Sequence, residues 1–154
     1  MLDLGCGGGQ DSAALRDAGF VVTSIDASPA LAAEAKRRWN IDVRALDFAD
    51  LDYDRVFDGI WAWASLHHAR VDDLPSIFIR LRRALKSGGL LHASLKQGAD
   101  RRDKFGRFFC AMDEPKLRTL AAAWGNVRIE REHGYGYDDE PTPWFRLRAN
   151  APAR

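Results

Sequence analysis

Residues 3 to 9 read Asp-Leu-Gly-Cys-Gly-Gly-Gly, which sets Asp3 two positions ahead of glycines at the first, third and fifth places, Gly5, Gly7 and Gly9. Glycine is needed where a backbone turns tightly and approaches a ligand with no Cβ in the way. A dinucleotide fingerprint would require glycines at the first, third and sixth places, here Gly5, Gly7 and Gln10, and the sixth fails. A second carboxylate, Asp26, follows Thr23-Ser24-Ile25, twenty-one residues after Gly5. At that distance it can accept hydrogen bonds from both hydroxyls of a ribose, which selects an adenosine-type ligand without a 2′-phosphate. Asp47 ends a third apolar run and precedes Phe48, so its carboxylate can take an adenine amino group while the ring covers a face of the base. The alternative for Asp26 is a cap on the next helix, a role Ser28 already fills, and that for Asp47 is an ordinary strand-end turn with Phe48 in the core. His67 and His68 could take a proton near neutral pH. The only notable basic cluster, Lys96, Arg101, Arg102, Lys104 and Arg107, is diluted by Asp100 and Asp103, and Arg107 could clamp a carboxylate.

The elements that must position these residues alternate short apolar runs with helical stretches, the pattern of a parallel sheet covered by crossover helices. Met1 to Leu4 reads as a buried strand end. A helix opens near Asp11, with Ala14, Leu15 and Ala18 inward and Gly19 as its stop. Phe20 to Ile25 is a β-branched strand, and Ser28 with Pro29 caps and opens a helix through Arg38. Ile41 to Leu46 and Val56 to Ala62 are further strands. Leu74, Ile77, Phe78, Leu81 and Leu85 repeat at helical spacing after Asp72 and Asp73, with a stop at Ser87, Gly88 and Gly89. Leu90 to Leu95 is a fifth strand, followed by a polar loop from Lys96 to Phe109. Asp113 and Pro115 open a helix with Leu117, Leu120, Ala121 and Trp124 inward and Gly125 as its stop. Val127 to Glu132 and Trp144 to Arg148 should pair antiparallel at the sheet edge, across the turn-rich connection Gly134 to Pro143. The fold class is α/β, a Rossmann-like three-layer sandwich with a mostly parallel sheet and an antiparallel C-terminal strand pair.

A chain of 154 residues, 46% hydrophobic and 29% charged, has the size and composition of one globular domain and is unlike disordered or repeat sequence. Its net charge of +1 provides no overall field for steering onto nucleic acid or anionic lipid. Cys6 and Cys110 have no Cys or His nearby at zinc-ligand spacing, which points to reduced thiols in a cytoplasmic protein and to no metal site. The longest stretch without Asp, Glu, Lys or Arg, Gly59 to Ala69, is far short of a membrane span.

In order and spacing these segments resemble the class I S-adenosylmethionine-dependent methyltransferases. The matching stretches are LDLGCGGG at 2–9, TSIDAS at 23–28, ALDFADL at 45–51, FDGIWAWASLHHA at 57–69 and LKSGGLLHASLK at 85–96. More narrowly the chain is similar to small bacterial members with a Ser-Leu-His-His type turn after the fourth strand and a Gly-Tyr-rich segment before a Trp-containing strand, a likeness that names no substrate. The resemblance implies S-adenosyl-L-methionine as cofactor. Asp3, Gly5, Gly7 and Gly9 would border its methionine part, Asp26 with Ala27 its ribose, and Asp47 with Phe48 its adenine. Ala62 to Ser65, with Trp63 and Ala64, would line the mouth where the methyl group is presented, and His67 and His68 would stand on the acceptor side. It further implies one domain over 1–154 that lacks the family's usual N-terminal helix and the first half of its first strand. The acceptor would be a small molecule. A non-catalytic cofactor-binding or interaction module and an NAD-dependent oxidoreductase are the competing readings, and Gln10 in the third glycine's place speaks against the latter.

Overall fold

The three residues of β1, Leu2–Leu4, are wholly buried at the middle of a sheet, in a computed structural model that describes residues 1–102, 106–110, 112–135 and 141–153. Lys104 and the middle of the connection from Gly134 to Pro143 lie outside the described residues. After β1 come α1 (Gln10–Asp17), β2 (Thr23–Asp26), α2 (Pro29–Trp39), β3 (Val43–Ala45), β4 (Phe57–Ala62), α3 (Leu74–Ala84) and β5 (Leu85–Lys96). A two-residue pair, β6 (Arg101–Arg102) and β7 (Phe108–Phe109), precedes α4 (Glu114–Leu120), β8 (Gly125–Tyr135) and β9 (Pro141–Asn150).

The seven-stranded sheet runs β3-β2-β1-β4-β5-β9-β8. Its first five strands are parallel, with Leu2 opposite both Thr23 and Ile60. Antiparallel β9 then pairs with β5, and β8 with β9. This is the Rossmann-like arrangement with an antiparallel C-terminal pair that the alternating pattern predicts. The two faces follow from strand alternation. Leu2 and Leu4 join Ile77, Phe78, Leu81 and Leu117 in the main core under α3 and α4, whereas Asp3 between them turns to the other face and meets Ser12 of α1. The layer of α1 and α2 closes on a small cluster of Ala13, Ala35 and Ile41.

Local chemistry accounts for most boundaries. Ser28 caps α2 by accepting the Leu31 N–H, Pro29 occupies the first turn, and left-handed Asn40 ends the helix. Asp113 accepts the Lys116 N–H at the start of α4. Four expectations are corrected. The buried face of α1 is Ser12 and Ala13, not Ala14, Leu15 and Ala18, because this helix packs on the polar end of β1 and not on an apolar floor. The second strand starts only at Thr23, where its ladder with β1 begins at the Leu2–Thr23 pair, and Val21 is 88% exposed. The third helix ends at Ala84, where extended Leu85 already begins β5, so the Ser87-Gly88-Gly89 run lies inside that strand. Gly125 begins β8, and α4 ends five residues earlier, at Leu120.

Gly9 shows what the third glycine of the run does. It has a left-handed φ of +80°, and a Cβ there would stand 2.7 Å from the Ala35 Cβ of α2. Gly9→Ala is expected to cost about 1–3 kcal/mol in urea unfolding. Gly8→Ala, whose Cβ would meet only the Glu34 side chain at 3.6 Å, should cost less. Equal losses at the two positions would contradict this packing role.

Candidate active site

The chain order reverses between β1 and β4, and at such a switch point the carboxyl ends of parallel strands leave a crevice. A cleft of about 970 Å³ opens there. The glycine turn forms its floor. Gly5 and Cys6 both donate their N–H to the Ile25 carbonyl at 2.9 Å, and Gly9 N–H to Cys6 at 3.0 Å. Gly5 is left-handed at φ +69°, and a Cβ on it would lie 2.6 Å from the Ser65 Cβ and 3.2 Å from the Phe48 ring. Only glycine lets the loops after β3 and β4 close this tightly over β1.

Asp26 ties the turn together. One carboxylate oxygen accepts the Gly7 N–H at 2.9 Å and the other the Ser28 N–H at 2.8 Å. Each oxygen has two acceptor sites, so the carboxylate keeps capacity for two further donors. Asp47 accepts the Ala49 N–H at 2.9 Å, which starts the 3-10 turn Phe48–Asp50 and sets the Phe48 ring beside Gly5.

Asp3 is 2% exposed and accepts the Ser12 hydroxyl at 2.6 Å, with Ser12 Oγ 2.7 Å from Ser24 Oγ. Burial pushes its carboxyl up to about 6, the nearby Asp11 and Asp26 charges add to the rise, and the Ser12 hydrogen bond opposes it. Burial, then the charges of Asp3 and Asp26, raises the Cys6 thiol to about 12, which keeps it in the protonated, weakly nucleophilic form.

On the opposite wall, Trp63, Ala64 and Ser65 carry the chain out of β4. Ala64 is left-handed at φ +50°, a conformation that costs about 1–2 kcal/mol for an L residue. Ser94 Oγ accepts its N–H at 2.8 Å and holds it there. Trp61 stacks on Trp63 with ring centres 5.1 Å apart and donates its Nε1–H to Asp11 at 2.7 Å.

Of the residues singled out from sequence, Asp3, Gly5, Gly7, Asp26, Ala27, Asp47, Phe48, Trp63, Ala64 and His68 all line this one cleft. Gly9 and His67 do not. Gly9 serves the packing of α1 on α2. His67 is 1% exposed among His68, Phe109 and Trp144, and its Nδ1 is buried without a hydrogen bond among the described residues. Burial first, then the charges of His68, Lys96 and Arg107, hold it well below the usual histidine range. His68 is exposed, with Nδ1 3.0 Å from the Phe108 carbonyl. A carbonyl only accepts, so Nδ1 carries the hydrogen and Nε2 is the acceptor of the neutral ring.

Ser65 and Arg107, both named in the sequence reading, also line the cleft, whereas Asp11 and the face of α2 formed by Leu31, Glu34 and Arg38 line it without having been foreseen. The helical spacing of those three was a usable signal. No group of three or more His, Cys, Asp or Glu placed to hold a metal occurs among the described residues, and no helix among them is long and apolar enough to cross a membrane.

A glycine turn at a switch point, with carboxylates at successive strand ends, defines a Rossmann-like nucleotide-binding cleft. The chain belongs to the methyltransferase domain family, which matches residues 1–89. It is 32% identical over 120 residues to a malonyl-[acyl-carrier protein] O-methyltransferase of Enterobacter lignolyticus, covering 74% of this chain and 45% of that one. It is also 49% identical over 61 residues to the cypemycin N-terminal methyltransferase of a Streptomyces species, covering 38% of this chain and 25% of that one. The chain spans less than half the length of the curated relatives it matches. Among solved structures, a SAM-dependent methyltransferase from Methanosarcina mazei aligns with a TM-score of 0.89 at 17% identity, over 99% of this chain and 92% of that one. The 1,6-didemethyltoxoflavin-N1-methyltransferase of Burkholderia thailandensis, solved with 1,6-didemethyltoxoflavin and S-adenosylhomocysteine, aligns with a TM-score of 0.76 at 23% identity, over 98% and 70%. At these identities the likeness is one of fold.

The raised carboxyl of Asp3 has a measurable consequence. At about 1.4 kcal/mol per tenfold change in proton affinity, ionising it in the folded chain costs on the order of 3 kcal/mol. The folded state holds this proton more tightly than the unfolded one. Stability from this group is therefore greatest below about pH 4, falls as pH rises towards about 6, and is level above. Asp3→Asn should remove this slope and raise stability at pH 7 by about 1–3 kcal/mol in urea unfolding. Identical pH profiles for the two proteins would contradict the assignment.

Proposed function

We propose that this chain transfers a methyl group from S-adenosyl-L-methionine to a small-molecule acceptor by in-line displacement. The observation that carries the reading is convergence. The Asp3 to Gly7 turn, Asp26, and Asp47 with Phe48 come from three separate strand ends, yet they meet Trp63 to Ser65 across one cleft. The donor set suits the ligand's chemistry. The ligand carries an ammonium, a sulfonium and a ribose diol beside a single carboxylate, so it is cationic overall and suits the carboxylates Asp3, Asp11, Asp26 and Asp47 that line this side. We read residues 1–154 as a single domain of the family, working in the cytoplasm with its free thiols Cys6 and Cys110 reduced. The net charge of +1 supports a small-molecule partner over nucleic acid.

Bound S-adenosyl-L-methionine supplies an activated methyl group on a sulfonium. The protein's task is then mainly to bind, orient and exclude water. Asp26 holds the ribose with the acceptor capacity left over from Gly7 and Ser28. Asp3 receives the cationic methionine end and is drawn to its ionised form by it. Phe48 covers the base, and Asp47 orients it. Trp63 and Ala64 bound the passage to the acceptor. His68 is placed to remove a proton through Nε2 if the acceptor carries one, while His67, shut behind it, keeps His68 and the Phe109 strand in position.

An NAD-dependent oxidoreductase would use Asp26 in the same way, but Gln10, which lines the cleft, stands where that fingerprint needs glycine. Calorimetric titration separates the readings. S-adenosylhomocysteine should bind and NAD should not, and Asp26→Ala should weaken S-adenosylhomocysteine at least tenfold. A folded protein that binds neither would pass the assignment to a non-catalytic interaction module.

A further inference from the structure

The cleft is divided by charge. Beside the glycine turn stand Asp3, Asp11, Asp26 and Asp47, with Glu34 and Arg38 of α2 neutralising each other in an ion pair of 2.9 Å, whereas the segment after Ser65 and the one before β7 add His68, Arg70 and Arg107. Arg70 is drawn to Asp73, 3.8 Å away, and among the described residues Asp73 is the acidic side chain that joins these cations in the lining. Arg107 is fixed at the rim by its neighbours. The strand that follows it is stitched to the turn after β4 by the His68 Nδ1 to Phe108 carbonyl bond of 3.0 Å and the Cys110 N–H to His67 carbonyl bond of 2.8 Å. Lys96, 5% exposed and 4.1 Å from the Phe109 ring centre, adds a buried positive charge behind the same turn.

A second observation points to a ligand. Ser65 is 3% exposed and lines the cleft, and its Oγ is buried with no hydrogen-bond partner among the described residues. A buried hydroxyl without a partner is costly, and such groups are normally satisfied. It abuts the glycine turn, where a Cβ on Gly5 would lie 2.6 Å from its own Cβ, and the chain runs from it directly to His68 and Arg70.

We propose that the methyl acceptor carries a carboxylate, seated at the end of the cleft formed by Ser65, His68 and Arg107. The Arg107 guanidinium supplies paired donors to the carboxylate oxygens, and Ser65 Oγ–H donates from the inner side. The acidic end repels the same group, so the acceptor enters in one orientation, with its anion away from Asp3 and Asp26. This inference rests on the methyltransferase reading above.

The test uses the full chain saturated with S-adenosylhomocysteine and three probes of one chain length, octanoate, octanamide and octylammonium, titrated calorimetrically. Octanoate should bind at least tenfold more tightly than the other two. Arg107→Gln should remove at least fivefold of that preference without changing S-adenosylhomocysteine affinity more than twofold, and Ser65→Ala should likewise remove at least fivefold of the preference. An octanoate affinity equal to or below that of octanamide, or no binding by any probe, would overturn the proposal. A preference unchanged in both variants would also overturn it, because the carboxylate would then sit elsewhere. Failure of S-adenosylhomocysteine to bind would instead overturn the methyltransferase reading, and this inference with it.

Discussion

The Asp26 carboxylate accepts the Gly7 N–H with one oxygen and the Ser28 N–H with the other. Through these two bonds it joins the glycine turn after β1 to the start of α2. Both N–H groups lie next to a cleft, where neither has a strand partner, and a backbone donor left unpaired there would cost about 1–3 kcal/mol. Pairing them on a charged acceptor fixes the turn and leaves the carboxylate facing the cleft with capacity to spare. The same side chain is thereby a structural clamp with acceptor capacity left for the diol proposed to bind there. Capping the next helix and binding ribose, which look like competing roles in the sequence, are compatible here, since Ser28 caps α2 through its own hydroxyl.

Around that clamp the protein holds several costly features in place. Asp3 is buried as an acid that would lose its proton more readily in water. Ala64 is left-handed and pinned by Ser94. Ser65 keeps a buried hydroxyl without a partner among the described residues. All three line the same cleft, which is where strain and perturbed ionisation are retained when they serve binding or chemistry. A cationic ligand at Asp3 would relieve the first cost, and a donor or acceptor at Ser65 the last.

The mostly parallel sheet, the antiparallel final pair and the residues at the glycine turn were legible because each leaves a local mark: alternation of apolar runs, glycine spacing, a carboxylate at a strand end. The inward face of α1 was misread for a physical reason. Helical periodicity assumes an apolar floor, and Ser12 instead meets Asp3 and Ser24 in a buried polar chain. Gly9 looked like its neighbours in the run but packs against Ala35, a contact between elements that no spacing rule encodes. Of the adjacent pair His67 and His68, only the second reaches the cleft. Which one does so depends on the 3-10 turn at Leu66–His68 and on its bonds to a strand forty residues away.

The central claim is that the carboxylate-lined strand ends, and not another surface, receive the adenosyl group. Amide chemical-shift mapping by NMR during titration with S-adenosylhomocysteine tests it most directly. The largest changes are predicted at Gly5, Gly7, Ser28, Phe48 and Ala64, with β8 and β9 unmoved. Saturable changes centred elsewhere, with the glycine turn and Ser28 unaffected, would contradict the account.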